Sequence, residues 1–581
     1  MPAGCVIREF EELRGGQESS AATIVLFAHV LIVAAVFPTR SAAVKRCTAN
    51  DKCWPSAEIW SAFNSSVGGR LVAPRPPAWP CHDPNYDEAA CNDAKANWNI
   101  SSWRADQTGA TQDPVWEGLG CSIATPRNAI CKQGFVPVYA IAAQDSSDVS
   151  EAVKFAGKHN LKLVVKNTGH DYLGRASGEG SFSIWTHRLK GISLNNSFVG
   201  AGCSTNTSGV PAITVGAGEY WADVYKKADE LNVTVAGGGS RGVGAAGGWL
   251  QGGGHGPLGG LHGMGVDNVL QFTMVTADGN IVYANACQNK DLFWALRGGG
   301  SGTWGQVALD VTYKAHPPLY GMVALGFQLN ATTPKQMIQL STVLLEAVPK
   351  IADAGIRGYC WAQPNSTLCF FLHPNSQSVQ LSNTTLWSIY DWVADNPGAQ
   401  LTSFGGTLHP TFYDMFIKYF QDSGIANPSW LGSRLVSRGA LVTNSKKLAK
   451  IMSGENPIQA TSLIHIIGGG AVNKVNPDST GLNPQWRRDA LVHWVFSGHL
   501  SYGAPKQNER IKKEITKLTK GLGAIAGLDN AAYFNEADPG EPQWKKAFFG
   551  SHYDRLLRVK RKVDPKHLFT CNRCVGFESG V

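Results

Sequence analysis

Between Gly237 and Gly265 roughly every second residue is glycine. No regular core element is expected to run through such a stretch, because each glycine in a helix interior costs up to about 1 kcal/mol against alanine. The sequence therefore predicts an extended loop whose backbone amides are almost unshielded by side chains. Successive bare N–H groups can approach an anion closely and form a nest for it. A flexible linker is the bland alternative, but Trp249, Leu250, Leu258 and Val266 are interspersed as anchors, and linkers lack these. Gly298-Gly-Gly-Ser-Gly-Thr-Trp-Gly305 is a further stretch of the same kind.

A histidine belongs to the same picture. Lys166-Asn-Thr-Gly-His-Asp-Tyr-Leu-Gly-Arg175 follows an apolar run expected to be a strand, Leu161–Val165, and presents His170 in a tight loop. Two backbone-rich loops and one presented imidazole suit a large, phosphate-bearing ligand. Alone, His170 is more simply a hydrogen-bonding loop histidine.

Gly242-Val-Gly-Ala-Ala-Gly247 is a literal GxGxxG with Asp267 twenty residues past its last glycine. That is the dinucleotide-binding fingerprint on paper. The context fails, because the motif must open a helix and here runs into Gly247-Gly-Trp-Leu-Gln-Gly-Gly-Gly-His-Gly256.

At 581 residues, 43% hydrophobic and 17% charged, the chain is expected to build two or three globular domains. The net charge of +8 is spread along it, and the basic run Arg558–Lys562 reads as a solvated helix face, so no nucleic-acid partner is expected. Ala21–Phe37 is a long apolar run followed by small residues near Ala43, which fits a secretory signal, with a retained membrane anchor as the alternative. Of 13 cysteines, Cys5 precedes that run. The other twelve, with close spacings at Cys47/Cys53, Cys81/Cys91, Cys121/Cys131 and Cys360/Cys369, read as disulfides of an oxidising compartment. Connectivity does not follow from spacing. Cys571-Asn-Arg-Cys574 lacks a second CxxC, so a disulfide outranks a zinc site. Sequons at Asn64, Asn99, Asn195, Asn206, Asn232, Asn330, Asn365 and Asn383 agree with a secreted glycoprotein.

Residues 1–43 are thus expected to be the signal or anchor, and 44–132 a Cys-rich cap. A βαβ rhythm from about residue 133 to 317 begins with a helix capped by Asp148, and Asp278-Gly279 turns a hairpin between Val269–Thr276 and Ile281–Tyr283. From 318 to 525, strands such as Val323–Phe327, Leu368–Leu372 and Ser462–Ile467 alternate with helices such as Pro334–Val348, Thr384–Ala394 and Leu441–Met452. A C-terminal segment, 526–581, ends on a helix around Phe548–Val563. The class is α+β.

With these residues in view, the chain resembles the FAD-linked oxidases of the vanillyl-alcohol oxidase superfamily, in its berberine-bridge-enzyme-like branch and of the fungal secreted type. The carriers are Val164–Arg175, Ser183-Ile-Trp-Thr-His187, Gly247–Gly256, Ala277-Asp-Gly279, Asp291–Gly300 and Tyr533-Phe-Asn535 with Asp564-Pro-Lys-His-Leu-Phe569; Cys53-Trp-Pro in the N-terminal segment also fits.

The resemblance implies a two-subdomain FAD-binding domain of the PCMH type, a substrate domain with an antiparallel sheet covered by helices, and a C-terminal segment completing the FAD site. It implies covalent FAD attached through His170. Lys166, Asn167, Thr168, Gly169 and Asp171 form one cofactor loop, and Gly239, Ser240, Gly242, Val243 and Gly244 another. Gly248, Gly253, His255, Gly256 and Asn535 are also placed at the cofactor. Where many relatives carry a cysteine forming a second flavin bond, this chain has Ser240, so no cysteinyl link is expected, a hydroxyl being a far poorer nucleophile than a thiolate.

His465, in Leu463-Ile-His-Ile-Ile-Gly-Gly-Gly470, stands near the position of a catalytic base in plant relatives. A satisfied strand histidine explains it equally well. Tyr533 is a second catalytic candidate, as phenolate or hydrogen-bond donor. His255 and His262 lack a plausibly spaced third ligand, so no metal is expected.

The implied function is a secreted, monomeric FAD-dependent oxidoreductase. Hydride passes from an alcohol or similarly activated C–H of a small molecule to flavin N5, and O2 reoxidises the flavin to give H2O2. An oxidative cyclase or dehydrogenase of secondary metabolism is the alternative on the same fold, and a non-catalytic flavin- or carbohydrate-binding protein the alternative from another class. The substrate pocket is expected in 318–525, with Trp361, Phe370, Trp387 and Trp430 as candidate lining.

Overall fold

The computed structural model describes residues 45–304, 306–453 and 458–577. The apolar run Ala21–Phe37 lies outside the described residues. Among those described, no helix is long and apolar enough to cross a membrane.

Three sheets organise the chain. Leu71–Val72 (β1), Tyr139–Ala142 (β2), Leu163–Lys166 (β3) and Phe182–Trp185 (β4) form a four-stranded sheet in the order β1-β2-β4-β3, parallel except for the β1 edge. Ile192–Phe198 (β5), Val210–Gly216 (β6), Val269–Thr276 (β7), Ile281–Asn285 (β8) and Gln306–Lys314 (β9) form an antiparallel sheet, β5-β6-β9-β7-β8. The β7–β8 hairpin turns at Gly279, whose φ of 82° is a conformation glycine adopts without strain.

Segment 44–132 is woven into this part. Trp60 and Phe63, on the helix Ala57–Ser66, are buried in the core with Val153, Phe182 and Ile184, while β1 pairs with β2. The helix Ser146–Lys158 buries Val149, Ala152, Val153 and Ala156, a stripe at helical spacing. Its cap is Asp145, which accepts from Asp148 N–H; the sequence pointed to Asp148 instead. Asp148 is occupied elsewhere, in an ion pair with Arg70 at 2.5 Å.

The third sheet has seven antiparallel strands: Met322–Ala331 (β10), Arg357–Gln363 (β11), Ser366–Pro374 (β12), Ala399–His409 (β13), Ser429–Ser437 (β14), Thr461–Ile466 (β15) and Ala490–His499 (β16), in the order β13-β10-β12-β11-β15-β16-β14. The side-chain period of two separates its faces. Ile464, Ile466, Val492 and Trp494 pack with Leu340 and Ile351 of Pro334–Asp353 and Ile515 of Pro505–Gly523. On the opposite face, register aligns one row of residues: Gly326, Phe370, Tyr359, His465, His493 and Leu435. The region read as one helix, Leu441–Met452, is two: Arg438–Thr443 and Ser445–Ser453.

All twelve described cysteines are paired: Cys47–Cys53, Cys81–Cys91, Cys121–Cys131, Cys203–Cys287, Cys360–Cys369 and Cys571–Cys574. None of the eight sequon asparagines is buried.

Candidate functional site

The loop after β3 is held from outside by the N-terminal segment. Gln112 donates through its backbone N–H to Gly169 O (3.0 Å) and through Nε2 to Thr168 O (2.8 Å). Asp171 organises the loop from within, accepting from Leu173 N–H at 3.1 Å, Ala176 N–H at 2.8 Å and Arg175 Nε at 3.0 Å. Ser101 Oγ meets His170 Nε2 at 3.2 Å, and none of the described residues hydrogen-bonds Nδ1. Burial pushes the His170 pKa down to about 4, so its ring is neutral and one of its two nitrogens carries a lone pair.

The glycine stretch forms the facing wall. A helical turn does open at Gly248, running to Gln251 before Gly252–Gly254 end it, and a second runs over Gly259–His262, so the expectation of no helix fails for these two turns. Leu250, Leu258 and Val266 are buried anchors, and Trp249 Nε1 donates to His255 O at 3.0 Å. Gly298 and Gly300 N–H both donate to Gln251 O, at 3.1 and 2.8 Å, which docks the third glycine stretch against the second.

These loops enclose a cavity. Asn167, Thr168, Gly169, His170 and Asp171 line one side of it, and Ser240, Val243, Gly244 and Gly248 the other, with Tyr533 and Asn535 reaching in from the C-terminal segment. Two observations fit a cofactor with an anionic, hydrogen-bond-accepting middle. A Cβ placed on Gly247 would meet nothing within 4 Å, so this backbone is open, and the buried Asn167 Nδ2 has no partner. Both are what FAD requires of its cradle.

Several candidate residues act at one remove. Lys166 is not in the lining; its ammonium donates to Gln107 O (2.5 Å) and Thr108 O (3.1 Å), and burial lowers its pKa to about 7. Gly242 and Gly256 are packing glycines: a Cβ on them would lie 1.9 Å from Ser101 Oγ and 1.8 Å from Gly237 O. Gly253 is pressed against Leu482. Gly239 and His255 line a second cavity instead. Asp267, the acidic residue of the GxGxxG fingerprint, holds no ribose; it pairs with Arg487 at 2.5 and 2.8 Å and accepts from Met264 N–H.

The second cavity is a cleft of about 620 Å³ against the open face of the seven-stranded sheet. Alternate residues of neighbouring strands form its wall: Ala324 and Gly326, Leu368 and Phe370, Tyr359 and Trp361, then His465. Phe420 and Tyr419 close it from the other side. Trp387 is exposed on its helix, and Trp430 packs on Trp116 with its N–H given to Asp538, so neither lines the cleft.

The two cavities share Ser240, Val243, Trp249 and Glu536. Beside this junction His255, His465, His493 and Glu536 converge. His255 Nε2 is 3.3 Å from Glu536 Oε1, and Nδ1 of His465 and His493 lie 3.8 and 3.5 Å from Oε2. Burial lowers the His465 pKa to about 4 and that of His493 well below its usual value, so both are neutral. His465 Nδ1 and the Tyr359 hydroxyl are buried without hydrogen-bond partners. Tyr533 is different: its hydroxyl donates to Trp249 O (3.3 Å) and accepts from Asn535 (2.7 Å), and burial raises its pKa, so it stays a phenol and no phenolate forms.

Sequence reading missed Glu536, His493, Tyr359 and Phe420. Glu536 directly follows the recognised Tyr-Phe-Asn, which was the available signal; His493 had none, since only strand register brings it to His465.

A family model described as FAD binding domain matches residues 137–285, and one described as berberine and berberine like matches 532–576. An uncharacterized FAD-linked oxidoreductase of Arthroderma benhamiae is 41% identical over 91% of this chain and 94% of its own. The FAD-linked oxidoreductase penH of Penicillium thymicola is 36% identical over 92% and 93%. Among solved structures, the VAO-type flavoprotein MtVAO713 of Myceliophthora thermophila C1 superposes with a TM-score of 0.86 at 27% identity, covering 92% of this chain and 98% of that one.

Proposed function

The chain belongs to the FAD-linked oxidoreductases of the berberine and berberine-like family, and from that premise we propose that it is a secreted oxidase of apolar alcohols carrying FAD on His170 alone. The observation that carries this reading is the junction of a glycine-walled cavity with an aromatic cleft at Glu536. Bound FAD supplies hydride acceptance at N5 and delivery of two electrons to O2, giving H2O2.

The chain's own residues do the rest. His170 presents a neutral lone pair at Nδ1 for the tether, while Ser101 holds Nε2. A second, sulfur tether is not expected, because Ser240 stands in the wall and every described cysteine is in a disulfide. Backbone around Gly244–Gly248 and Asn167 Nδ2 receive the pyrophosphate. In the cleft, Tyr359 O–H and His465 Nδ1 are two polar atoms without a hydrogen-bond partner, and they meet the substrate hydroxyl; His465 takes its proton and Glu536 balances the imidazolium. Phe370, Trp361 and Phe420 surround the substrate body with apolar surface, which favours an aryl or long-chain alcohol over an oligosaccharide. Six disulfides and eight unburied sequons support secretion and glycosylation.

The test is H2O2 release from the purified flavoprotein with matched panels of aryl alcohols, long-chain secondary alcohols and oligosaccharides. Turnover confined to the apolar panels is expected. Turnover of oligosaccharides alone sinks the substrate class, and oxidation without H2O2 sinks the oxidase.

A further inference from the structure

At the junction of the two cavities the donor set is one that metal ions use. One donor atom from each of His255, His465, His493 and Glu536 lies within 4.8 Å of the other three. Hydrogen bonding accounts for a single contact in the group, His255 to Glu536. Both ring nitrogens of His493, which is 0% exposed, and Nδ1 of His465 and of His255 have no hydrogen-bond partner. Of these, Nδ1 of His465 and of His493 face the Glu536 carboxylate, as does Nε2 of His255, and buried polar atoms left without a partner call for one.

Zinc-type ions take imidazole at about 2.0–2.1 Å and carboxylate at about 2.0–2.2 Å, which sets tetrahedral donors about 3.3 Å apart. The three contacts to Glu536 span 3.3–3.8 Å over its two oxygens, and the whole donor set lies within 4.8 Å, so an ion would draw the rings inward to complete the shell. The frame is firm, since His465 and His493 are register partners on β15 and β16 and Trp249 fixes the backbone of His255.

We propose that His255, His465, His493 and Glu536 bind one divalent transition-metal ion of the zinc type, and that an ion held there stops the oxidation by occupying the lone pair of His465. The binding half stands on the cluster alone. The stopping half rests on His465 as proton acceptor in the proposed reaction.

The holoprotein, stripped with a chelator, is titrated with ZnCl2 by calorimetry, and retained zinc is counted by elemental analysis. One ion per chain is expected. His493→Gln and Glu536→Gln should each weaken it by more than about 100-fold, beyond the effect of losing an outer-shell partner. His262→Ala should keep it, because His262 stacks on His316 and is no member of the cluster. Zinc-edge absorption of loaded wild-type protein should show scattering from three imidazoles, a readout that does not depend on variant folding. No stoichiometric zinc, zinc retained in both cluster variants, or a spectrum without imidazole overturns the site. Zinc bound with undiminished H2O2 release overturns the stopping half and the role of His465 with it.

Discussion

His465 and His493 face each other in register across β15 and β16, their ring centroids 5.3 Å apart, with Glu536 within 4 Å of Nδ1 on each ring. One carboxylate therefore lies against both imidazoles at the junction of the two cavities. In the proposed reaction the proton taken up by His465 is compensated by Glu536, while burial keeps the resting ring neutral.

Replacing the ring of His465 removes that acceptor. His465→Gln should lower kcat by about 10²–10⁴ and leave the flavin absorbance of the purified protein unchanged. A kcat within tenfold of wild type returns His465 to a structural role.

On the proposed single tether, flavin attachment separates from flavin binding at His170. His170→Ala should give protein whose yellow colour stays in the supernatant after acid precipitation. Ser240→Ala should keep the colour in the pellet. Loss of the pellet colour in Ser240→Ala would contradict a single tether.

The Arg487–Asp267 pair, with side chains 1% and 7% exposed, locks the end of the glycine stretch to the segment before β16. Removing one partner of a buried pair costs about 3–5 kcal/mol. Asp267→Asn should lower the melting temperature by several degrees, and a shift under one degree would show the pair to be idle.

Asp113 makes stability depend on pH. Desolvation raises its pKa from 3.8 to about 7, over the opposing hydrogen bonds from Val115 and Ser429. The folded protein thus holds the proton more tightly than the unfolded chain. The resulting stabilisation is complete below about pH 4, declines as pH rises, and is gone above about pH 7. It amounts to a few kcal/mol, at about 1.4 kcal/mol per unit. Chemical unfolding from pH 4 to 8 should show Asp113→Asn losing less stability than wild type across that window, and parallel curves would refute the assignment.

Local pattern made part of this molecule legible in sequence. The β7–β8 hairpin, the amphipathic helix Ser146–Lys158 and the His170 loop all appear where alternation, helical spacing and glycine placed them. What failed was non-local. The cap lies on Asp145, which takes the Asp148 N–H, while the Asp148 carboxylate turns to Gln144 N–H and to Arg70, far back in the chain. Lys166, placed in the cofactor loop by its sequence, instead gives its ammonium to the Gln107 and Thr108 carbonyls. The cluster of His255, His465, His493 and Glu536 has no spacing to read, since its members lie tens to hundreds of residues apart and meet only through register and docking.

Asn535 carries a consequence for biosynthesis. Its Nδ2 donates to Gly248 O at 2.9 Å and its Oδ1 accepts from Arg175 at 3.0 Å, so the C-terminal segment ties both glycine-walled loops together. The residues that enclose the cofactor are therefore synthesised hundreds of positions before the one that locks them. A cradle built from Arg175 and Gly248 is thus closed only by a residue from the last tenth of the chain, and its completion waits on the docking of Asn535.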